Sequence, residues 1–558
     1  MRIPRIAAVL VLASFGVAFA RQPVHARHGM VTAQDPFAAD AGLAVLRSGG
    51  NAVDAAVAVG FALAVTHPVA GNIGGGGFML IRMADGATTF LDFRERAPGK
   101  ASHDMYLDAG GHLTKDSLVG WRASGVPGTV RGFDLALRKY GKKKWSEVVQ
   151  PAVDLAAKGF PVSYAVAESF RSDQDKLAQF PESKRVFLKN GALYEPGDTL
   201  VQPELAATLE RIRDRGADDF YRGETAHLLA KAMEEHHGTI SLEDLNDYKV
   251  VERKPLLGRY RGYDIITAPP PSSGGVGILQ MLEMLEGSGY EKSGAGSAAA
   301  IHYVAEVERR FYADRSEFLA DPDFYPVPVS KLLNPEYIAS RRASIDRNHA
   351  TSSESLGAGS LPAAHESSET THYNVVDEAG NAVAVTYTLN GGYGSGVTVP
   401  GAGFLLNNEM DDFSAKPGSP NMFGLVQGEA NAIQPGKRPL SSMTPTIVLH
   451  ANKPYLVLGA PGGATIINGV FEVILNVLDF GMNVQNAIDW PRFHQQWKPD
   501  KLFVEHGISP DTETLLRGMG YELKDIGAVG RVEAILMEDG WLQGGSDGRG
   551  PDGKAAGY

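Results

Sequence analysis

Two spacings of hydrophobic residues alternate along the chain, and they predict helices and strands in mixed order. Asp35 and Pro36 form an N-cap and first-turn pair, which opens an alanine-rich helix that ends near Arg47. A second helix, capped by Asn51 or Asp54, follows directly. It is apolar on nearly every side, and this pattern is typical of a fully buried helix.

A glycine run at 71–78 separates the second helix from a strand at 79–83. A phosphate-binding glycine loop normally lies between a strand and a helix, whose N-terminus faces the anion. Here the order is helix, glycines, strand, so the run predicts close backbone packing and no nucleotide site. The pattern also predicts helices at 135–158, 205–235, 276–285, 301–318 and 465–480, and strands at 88–93, 263–267, 446–450 and 456–458.

The stretch 366–390 reads ESSETTHYNVVDEAGNAVAVTYTLN and changes from a polar linker to a strand-like alternation. A run of β-forming residues, a turn at 377–380 and a second alternating run at 381–389 predict a β-hairpin. The segment 349–369 is rich in Ser, Gly and Ala, which predicts a flexible linker. Thr370 lies where this linker meets the first strand.

Thr370 has two interpretations from the sequence alone. It starts an ordinary strand, or the Glu369–Thr370 peptide bond is cut and Thr370 becomes an N-terminal residue. In the second case its α-amine, with an unperturbed pKa of about 7.7–8.0 against about 10.4 for lysine, can act near neutral pH as the base for its own hydroxyl.

The first twenty residues have the pattern of a secretory signal peptide and not of a buried helix. Arg2 and Arg5 precede an apolar run at 6–17, and Ala18-Phe19-Ala20 is a small-x-small cleavage site. No other apolar run approaches the length of a membrane span, so we expect a soluble mature protein that is periplasmic or secreted.

Loss of the two arginines takes the formal charge from −12 to −14, and this acidic balance argues against nucleic-acid binding. The chain has no cysteine, which excludes disulfides, thiolate metal sites and a cysteine nucleophile.

Arg94 and the Gly462–Gly463 pair each have both a chemical and a structural interpretation. Arg94 leaves a predicted strand, and it could clamp a carboxylate with its bidentate guanidinium or lie in solvent as a surface arginine. Gly462 and Gly463 stand at a strand-to-helix junction, where backbone N–H groups suit an oxyanion hole and where a simple turn fits equally well. His494 reads as packed surface without an identifiable partner.

The chain contains five motifs in this order: ETTHYNVVD, TYTLN, NNEMDDF, KRPLSSMTPTIV and GAPGG. Together they resemble the γ-glutamyltranspeptidase family, and its bacterial periplasmic members in particular. The likeness extends over nearly the whole mature chain and includes GNIGGGGF, LDFRERAP, PPPSSGG, PRFHQQW and the terminal AGY. It implies an α+β N-terminal-nucleophile hydrolase fold, an αββα sandwich of two stacked antiparallel sheets between helical layers. It also implies a precursor that cuts itself at Glu369–Thr370 into a large subunit, 21–369, and a small subunit, 370–558, which form a heterodimer.

The resemblance also implies a role for each matching residue. These are Thr370 as nucleophile, Thr388 as the hydroxyl that bonds the new N-terminus, Arg94, Ser441 and Ser442 at the substrate α-carboxylate, Asn390, Glu409 and Asp412 at its α-amine, and Gly462 and Gly463 as the oxyanion hole. The charges agree with this allocation, because a zwitterion needs cations and hydroxyls at one end and carboxylates at the other. An unpaired charge in a closed pocket costs roughly 1–3 kcal/mol or more.

The implied activity is γ-glutamyl transfer and hydrolysis on glutathione and other γ-glutamyl compounds, through an ester on Thr370. Water, amino acids or dipeptides are the acceptors, and no residue requires a cofactor or a metal. Two alternatives stay open: a β-lactam acylase of the same family that removes a glutaryl group, and an uncleaved exported protein that only binds γ-glutamyl compounds. Phe423 replaces the lid tyrosine of some bacterial members, so we expect that hydrogen bond to be absent. The tail at 548–553 also departs from the commoner pattern.

Overall fold

Two seven-stranded antiparallel sheets lie at the centre of the protein in a computed structural model, which describes residues 21–356 and 370–558 apart from 417, 420, 423 and 426. The predicted leader and most of the predicted linker lie outside the described residues. Within them, the strands in chain order are β1 (Val24–Ala26), β2 (Met30–Ala33), β3 (Gly76–Arg82), β4 (Thr88–Asp92), β5 (Phe160–Pro161), β6 (Thr199–Leu200), β7 (Val251–Arg253), β8 (Leu256–Tyr260), β9 (Tyr263–Thr267), β10 (Thr371–Val376), β11 (Ala382–Thr388), β12 (Thr446–His450), β13 (Lys453–Gly459), β14 (Phe493–His494), β15 (Leu502–Glu505), β16 (Leu523–Ile526), β17 (Glu533–Glu538), β18 (Trp541–Ser546) and β19 (Lys554–Gly557).

The first of the large sheets, sheet I, has the strand order β1-β18-β17-β13-β12-β9-β8. The second, sheet II, has the order β19-β2-β10-β11-β3-β4-β7. The predicted hairpin is confirmed as β10 and β11, and β10 also pairs with β2 from near the start of the chain. Strands from both ends of the sequence therefore alternate within one sheet.

Helices cover the outer faces of both sheets. In chain order over the described residues they are α1 (Pro36–Arg47), α2 (Ala52–Thr66), α3 (Thr129–Tyr140), α4 (Trp145–Lys158), α5 (Tyr164–Ser172), α6 (Gln174–Leu177), α7 (Pro181–Phe187), α8 (Pro203–Arg215), α9 (Asp218–Arg222), α10 (Glu224–Glu235), α11 (Leu242–Asn246), α12 (Gly274–Leu285), α13 (Ala298–Phe318), α14 (Val329–Leu332), α15 (Pro335–Ala343), α16 (Ile466–Leu478), α17 (Val484–Asp489) and α18 (Pro510–Gly518). α2 packs on sheet II, with α1 and α4 beside it, while α12 and α16 pack on sheet I with α13 beyond α12. The predicted αββα sandwich is confirmed.

The first two helices begin where the sequence predicts. Asp35 Oδ1 accepts a hydrogen bond from the backbone N–H of Ala38 at 2.9 Å, which caps α1. Asn51 and Asp54 cap α2 together, because Asp54 Oδ2 accepts from the Asn51 N–H at 2.7 Å and Asn51 Oδ1 accepts from the Asp54 N–H at 3.0 Å. Every residue of α2 is buried, as its uniformly apolar pattern predicts.

The glycine run continues into the sheet. β3 begins at Gly76, three residues earlier than the predicted strand, so two of the glycines are strand residues. A Cβ atom at Gly75 would overlap the carbonyl oxygen of Thr388, and one at Gly77 would overlap that of Thr386. Close backbone packing is thus the reason for these glycines, and the expectation is confirmed.

A layer of polar side chains lies between the two sheets. On β10, Tyr373 and Val375 belong to the core that contains α2, whereas His372 and Asn374 point toward sheet I. Asn374 Nδ2 donates to the carbonyl oxygen of Glu533 on β17 at 2.8 Å, which links the two sheets directly. The His372 ring packs so closely on Gly459 of β13 that a Cβ atom there would overlap it.

Two segments that were each predicted as a single helix are divided into shorter helices in the structure. The helix expected at 135–158 is α3 and α4, separated by a break at Gly141 that precedes the lysine run. The helix expected at 205–235 is α8, α9 and α10, broken at Gly216, which has φ 79°, and at Gly223. In both cases glycine ends a helix that hydrophobic spacing alone would have continued. Among the described residues, no helix combines the length and the apolar character needed to cross a membrane.

Candidate active site

Thr370 and Thr388 form the centre of the candidate site. Thr370 directly precedes β10 and Thr388 ends the neighbouring strand β11, so pairing of the two strands brings their hydroxyls to 3.3 Å. Thr370 is 4% exposed. The backbone N–H of Asn390 donates to Thr388 Oγ1 at 2.8 Å, and this bond orients the second hydroxyl.

A small cavity adjoins Thr370. Its walls contain nine of the residues predicted for the site: Arg94, Thr370, Thr388, Asn390, Glu409, Asp412, Ser441, Ser442 and Gly463. Gly462 adjoins the last of these. Residues that are hundreds of positions apart in the sequence therefore meet at one point, which is the arrangement that the family resemblance predicts.

Arg94 is buried and surrounded by acceptors. Its guanidinium bonds Glu409, contacts Asp412 Oδ2 at 2.5 Å, and donates to the carbonyl oxygens of Pro439 and Leu440, both at 3.3 Å. Burial opposes its positive charge, but the carboxylates of Glu409 and Asp412 outweigh burial and raise the pKa of Arg94 above its ordinary value. Of its two interpretations, the solvated surface arginine is wrong.

Three carboxyl groups share the space around this guanidinium. Glu409 and Glu95 are almost fully buried, and Asp412 is 9% exposed. Burial raises the pKa of Glu95 to about 7 and that of Glu409 well above its ordinary range, even though the Arg94 guanidinium favours ionisation of both. Acidic groups outnumber the nearby cations, so this end of the cavity suits an incoming cation.

The cavity wall also contains a second arginine, which the sequence reading missed. Arg315 on α13 donates to Ser442 Oγ at 3.2 Å and to Ser273 Oγ at 2.9 Å. Burial lowers its pKa to about 10, so it remains cationic at neutral pH. With Ser441 and Ser442 it adds positive charge and hydroxyl groups where a carboxylate is expected.

Gly462 and Gly463 connect β13 to α16 through a tight turn. Both have positive φ, 139° and 55°, which favours glycine. A Cβ atom at Gly462 would lie 2.6 Å from Thr465 Oγ1 and 2.9 Å from the Cα of Gly530. A 3₁₀ turn at Gly463–Thr465 then leads into α16, and the N-terminal end of a helix favours negative charge.

The loop after Asp412 closes over the cavity. Asn421 Nδ2 donates to Asp412 Oδ1 at 3.1 Å, and the backbone N–H of Met422 donates to Asp411 Oδ2 at 2.9 Å. Leu425 is a wall residue of the cavity. Phe423, the predicted departure from the family pattern, lies outside the described residues.

His372 and His494 are both buried in polar surroundings. His372 Nδ1 contacts Thr386 Oγ1 at 2.8 Å and Nε2 contacts Asn374 Oδ1 at 2.9 Å, and burial lowers the pKa of His372 to about 3. His494 was expected at the surface, and this is wrong: it is fully buried, and its ring nitrogens contact Asn468 and Gln496. The partners of His494 come from α16 and from the segment that follows β14, and the contact with α16 is a tertiary arrangement that sequence spacing does not reveal.

Comparison with known proteins connects the chain to one group. Residues 38–558 match the family model described as Gamma-glutamyltranspeptidase. The chain is 52% identical over 539 residues to the glutathione hydrolase proenzyme of Escherichia coli (strain K12), which covers 96% of this chain and 93% of that protein. Two solved structures are also similar: cephalosporin acylase from Bacillus halodurans, with a TM-score of 0.86, 27% identity and 99% of each chain covered, and the γ-glutamyltranspeptidase of Helicobacter pylori, with a TM-score of 0.56, 46% identity, and 57% of this chain and 91% of that one covered.

Proposed function

Because the chain belongs to the γ-glutamyltranspeptidase family, we propose that it cuts itself before Thr370 and then transfers γ-glutamyl groups from glutathione and related γ-glutamyl amides to water or to amino compounds. The observation that carries this proposal is the position of Thr370 in the wall of a small cavity that is also lined by two arginines, two serine hydroxyls and the carboxyl groups of Glu409 and Asp412. A γ-glutamyl head has the complementary pair of charges.

The proposed reaction starts from the free α-amine of Thr370. This amine takes the proton of the Thr370 hydroxyl as the oxygen attacks the γ-carbonyl carbon, and Thr388 holds the amine in place. The carbonyl oxygen becomes negative next to the backbone N–H groups of Gly462 and Gly463. The amine proton then passes to the leaving nitrogen as the amide bond breaks, which leaves a γ-glutamyl ester on Thr370. Water or an acceptor amine attacks this ester by the same steps in reverse order.

Charge exchange explains how a zwitterion could enter a cavity whose own charges are already paired. Arg94 contacts Glu409 and Asp412 directly. A substrate carboxylate that bonds Arg94 and Arg315, together with an ammonium group that bonds Glu409 and Asp412, replaces these two internal pairs by four new ones. A glutaryl group brings the carboxylate without the ammonium and so leaves buried carboxylates with a weaker set of partners. The acylase alternative is therefore disfavoured.

The proposed subunits, 21–369 and 370–558, would stay together after cleavage. Sheet II contains β2, β3, β4 and β7 from the first and β10, β11 and β19 from the second, and β10 lies between β2 and β11. Separation of the fragments would break whole ladders of backbone hydrogen bonds and expose the cores on both faces. We propose a stable heterodimer, made from an exported precursor and placed in the periplasm or outside the cell. The proposed chemistry uses no cofactor.

A denaturing gel tests the proposal directly. The purified protein should run as two fragments, and mass spectrometry should find Thr370 at the N-terminus of the smaller one. Thr370→Ala should remain a single inactive chain, whereas Thr370→Ser keeps a hydroxyl and should still be cut. An uncut wild-type chain would favour the binding-protein alternative, and normal cutting of Thr370→Ala at the same bond would show that the nucleophile is wrongly assigned.

A further inference from the structure

A second, larger cavity lies in the helical layer that covers sheet I. It has a volume of about 190 Å³. Its walls come from α13, α16 and the segments near Trp490 and Ile508. Leu475 lines this cavity and Ile466 lines the catalytic one; the nine positions between them along α16 span about 14 Å. The two cavities are therefore separate.

The walls of this second cavity are mainly aromatic and aliphatic. The rings of Tyr290, Phe480, Trp490 and Phe493 line it, and Trp490 at the rim is 38% exposed. The Tyr290 hydroxyl donates to Asp479 at 2.5 Å, which holds that ring in place. Aromatic faces carry negative electrostatic potential and attract cations as well as apolar groups.

A pair of buried carboxyl groups lies beneath these walls. Glu472 lines the cavity, is 6% exposed, and accepts only long hydrogen bonds of 3.3 and 3.4 Å from the backbone N–H of Phe493. Glu308 on α13 lies near Glu472 but is not a wall residue: its Oε2 accepts from the backbone N–H of Gln495 at 3.0 Å, and its Oε1 has no hydrogen-bond partner in the described part of the chain. Burial raises the pKa of both carboxyl groups, and their mutual repulsion raises that of Glu308 further.

The nearest cation does not neutralise this pair. Arg492 acts on Glu472 at a distance, but its Nη2 atom bonds Asp547 at 2.6 Å and its Nη1 atom bonds the carbonyl oxygen of Ile488 at 2.9 Å. The carboxyl pair therefore has acceptor capacity that the described protein satisfies only in part, and its ionised form would be balanced only by arginines acting from a distance. An anion would be repelled here, and an uncharged ligand would leave the pair as it is.

We propose that this cavity binds an organic ammonium ion with an apolar body, with the ammonium group at the wall residue Glu472, beside which Glu308 lies, and the body among the aromatic rings. The ammonium group supplies N–H donors and a positive charge, and the rings of Phe493 and Trp490 add a cation–π contribution as the ion passes them. This proposal does not depend on the reaction at Thr370, which is on the other side of the helical layer.

Calorimetric titration of the mature protein, without any γ-glutamyl donor, tests the inference. The probe is 3-phenylpropylammonium, and 3-phenylpropanol is its uncharged counterpart of similar size. We expect the ammonium ion to bind at least about tenfold more tightly than the alcohol. Glu472→Gln should remove that difference, and Ala295→Trp, which fills the mouth of the cavity, should abolish binding of both. Glu234→Gln on the exposed face of α10 makes the same change of charge and should alter neither affinity.

Thermal melting of each variant separates loss of the ligand from loss of the fold. Equal affinity for ammonium ion and alcohol would overturn the cation preference, and an unchanged preference in Glu472→Gln would overturn the role of the carboxyl pair. Binding that survives Ala295→Trp and is displaced by glutamate would place the probe in the catalytic cavity, and no binding in the millimolar range would show that the space is a packing gap.

Discussion

Replacement of Asp412 by asparagine tests whether the acidic end of the catalytic cavity recognises the substrate ammonium group. Asp412 is 9% exposed, so solvent screens it little, and its two oxygens contact Arg94 at 2.5 Å and Asn421 at 3.1 Å. A hydrogen bond to a charged group contributes about 1.5–3 kcal/mol. At about 1.4 kcal/mol for each factor of ten, its loss lowers kcat/KM by about 10- to 150-fold for a γ-glutamyl substrate.

The assay compares γ-glutamyl-p-nitroanilide with glutaryl-p-nitroanilide, which lacks only the ammonium group. Asp412→Asn also weakens the hold on Arg94, but that effect reaches the carboxylate end of both substrates and cancels in the ratio of their kcat/KM values. The ratio should therefore fall by about the same 10- to 150-fold, because the glutaryl compound never made the lost bond.

Asp411→Asn is the matched control. Asp411 is buried like its neighbour but bonds Ser117 and the backbone of Met422 rather than the cavity. Its loss can loosen the covering loop and slow both substrates, yet the ratio should stay within about threefold of wild type, which corresponds to a difference of less than about 0.7 kcal/mol. Equal losses on the two substrates in Asp412→Asn would refute the assignment of Asp412 to the ammonium group.

Three other substitutions test the remaining groups. Arg94→Lys should raise KM for γ-glutamyl substrates at least about tenfold in steady-state kinetics, since an ammonium group cannot replace the bidentate guanidinium; an unchanged KM would contradict this. Thr388→Val should lower kcat and shift the rising limb of the pH–rate profile, which we expect near the unperturbed α-amine pKa of about 7.7–8.0; a wild-type profile would remove Thr388 from the proton path. His372→Asn, once shown to be cut normally, should leave that limb in place, whereas loss of the limb would make His372 the base. The pKa of His372 is about 3 in the folded protein and about 6.5 in the unfolded chain. Between pH 6.5 and pH 3 only the unfolded chain binds a proton at this histidine, so the free energy of unfolding of the wild type falls as the pH falls. Denaturant unfolding between pH 6 and 4 should show a stability difference between wild type and His372→Asn that changes by about 1.4 kcal/mol per pH unit, and parallel curves would refute the neutral-histidine assignment.

Local patterns predicted the local elements well. The capping pairs, the all-apolar α2 and the hairpin of β10 and β11 depend on neighbouring residues, so the sequence contains the information for them. The meeting of β2 with β10 does not, because that pairing joins residues more than three hundred positions apart. The composition of the cavity was predicted by family resemblance, since spacing alone left Arg94 and the glycine pair open to two interpretations.

Arg315 shows what the sequence reading could have found and did not. The sequence of α13 is rich in charged residues, and six of them are buried: Glu306, Glu308, Arg309, Arg310, Asp314 and Arg315. At 100° per residue these positions surround the helix axis, so the charges cannot all face solvent once the helix packs against others. That distribution signals a buried ionic network. It does not reveal which of the arginines reaches the cavity, because this depends on the position of α13 relative to the loop that holds Ser442.

The polar layer between the sheets controls how the nucleophile is positioned relative to the oxyanion donors. The proposed nucleophile directly precedes a strand of sheet II, whereas the proposed oxyanion donors follow β13 of sheet I. The attacking oxygen and the N–H groups that stabilise the oxyanion are therefore held by different sheets. Two purely apolar sheet faces could shift relative to each other by a fraction of an ångström at little cost in free energy. Here the hydrogen bond from Asn374 to the Glu533 carbonyl oxygen and the close packing of the His372 ring on Gly459 hold the two sheets in one alignment. The distance between the nucleophile and the oxyanion donors thus depends on contacts between the sheets, which lie outside the cavity walls. A substitution at Asn374 or His372 can slow the chemical step while every residue of the cavity remains unchanged.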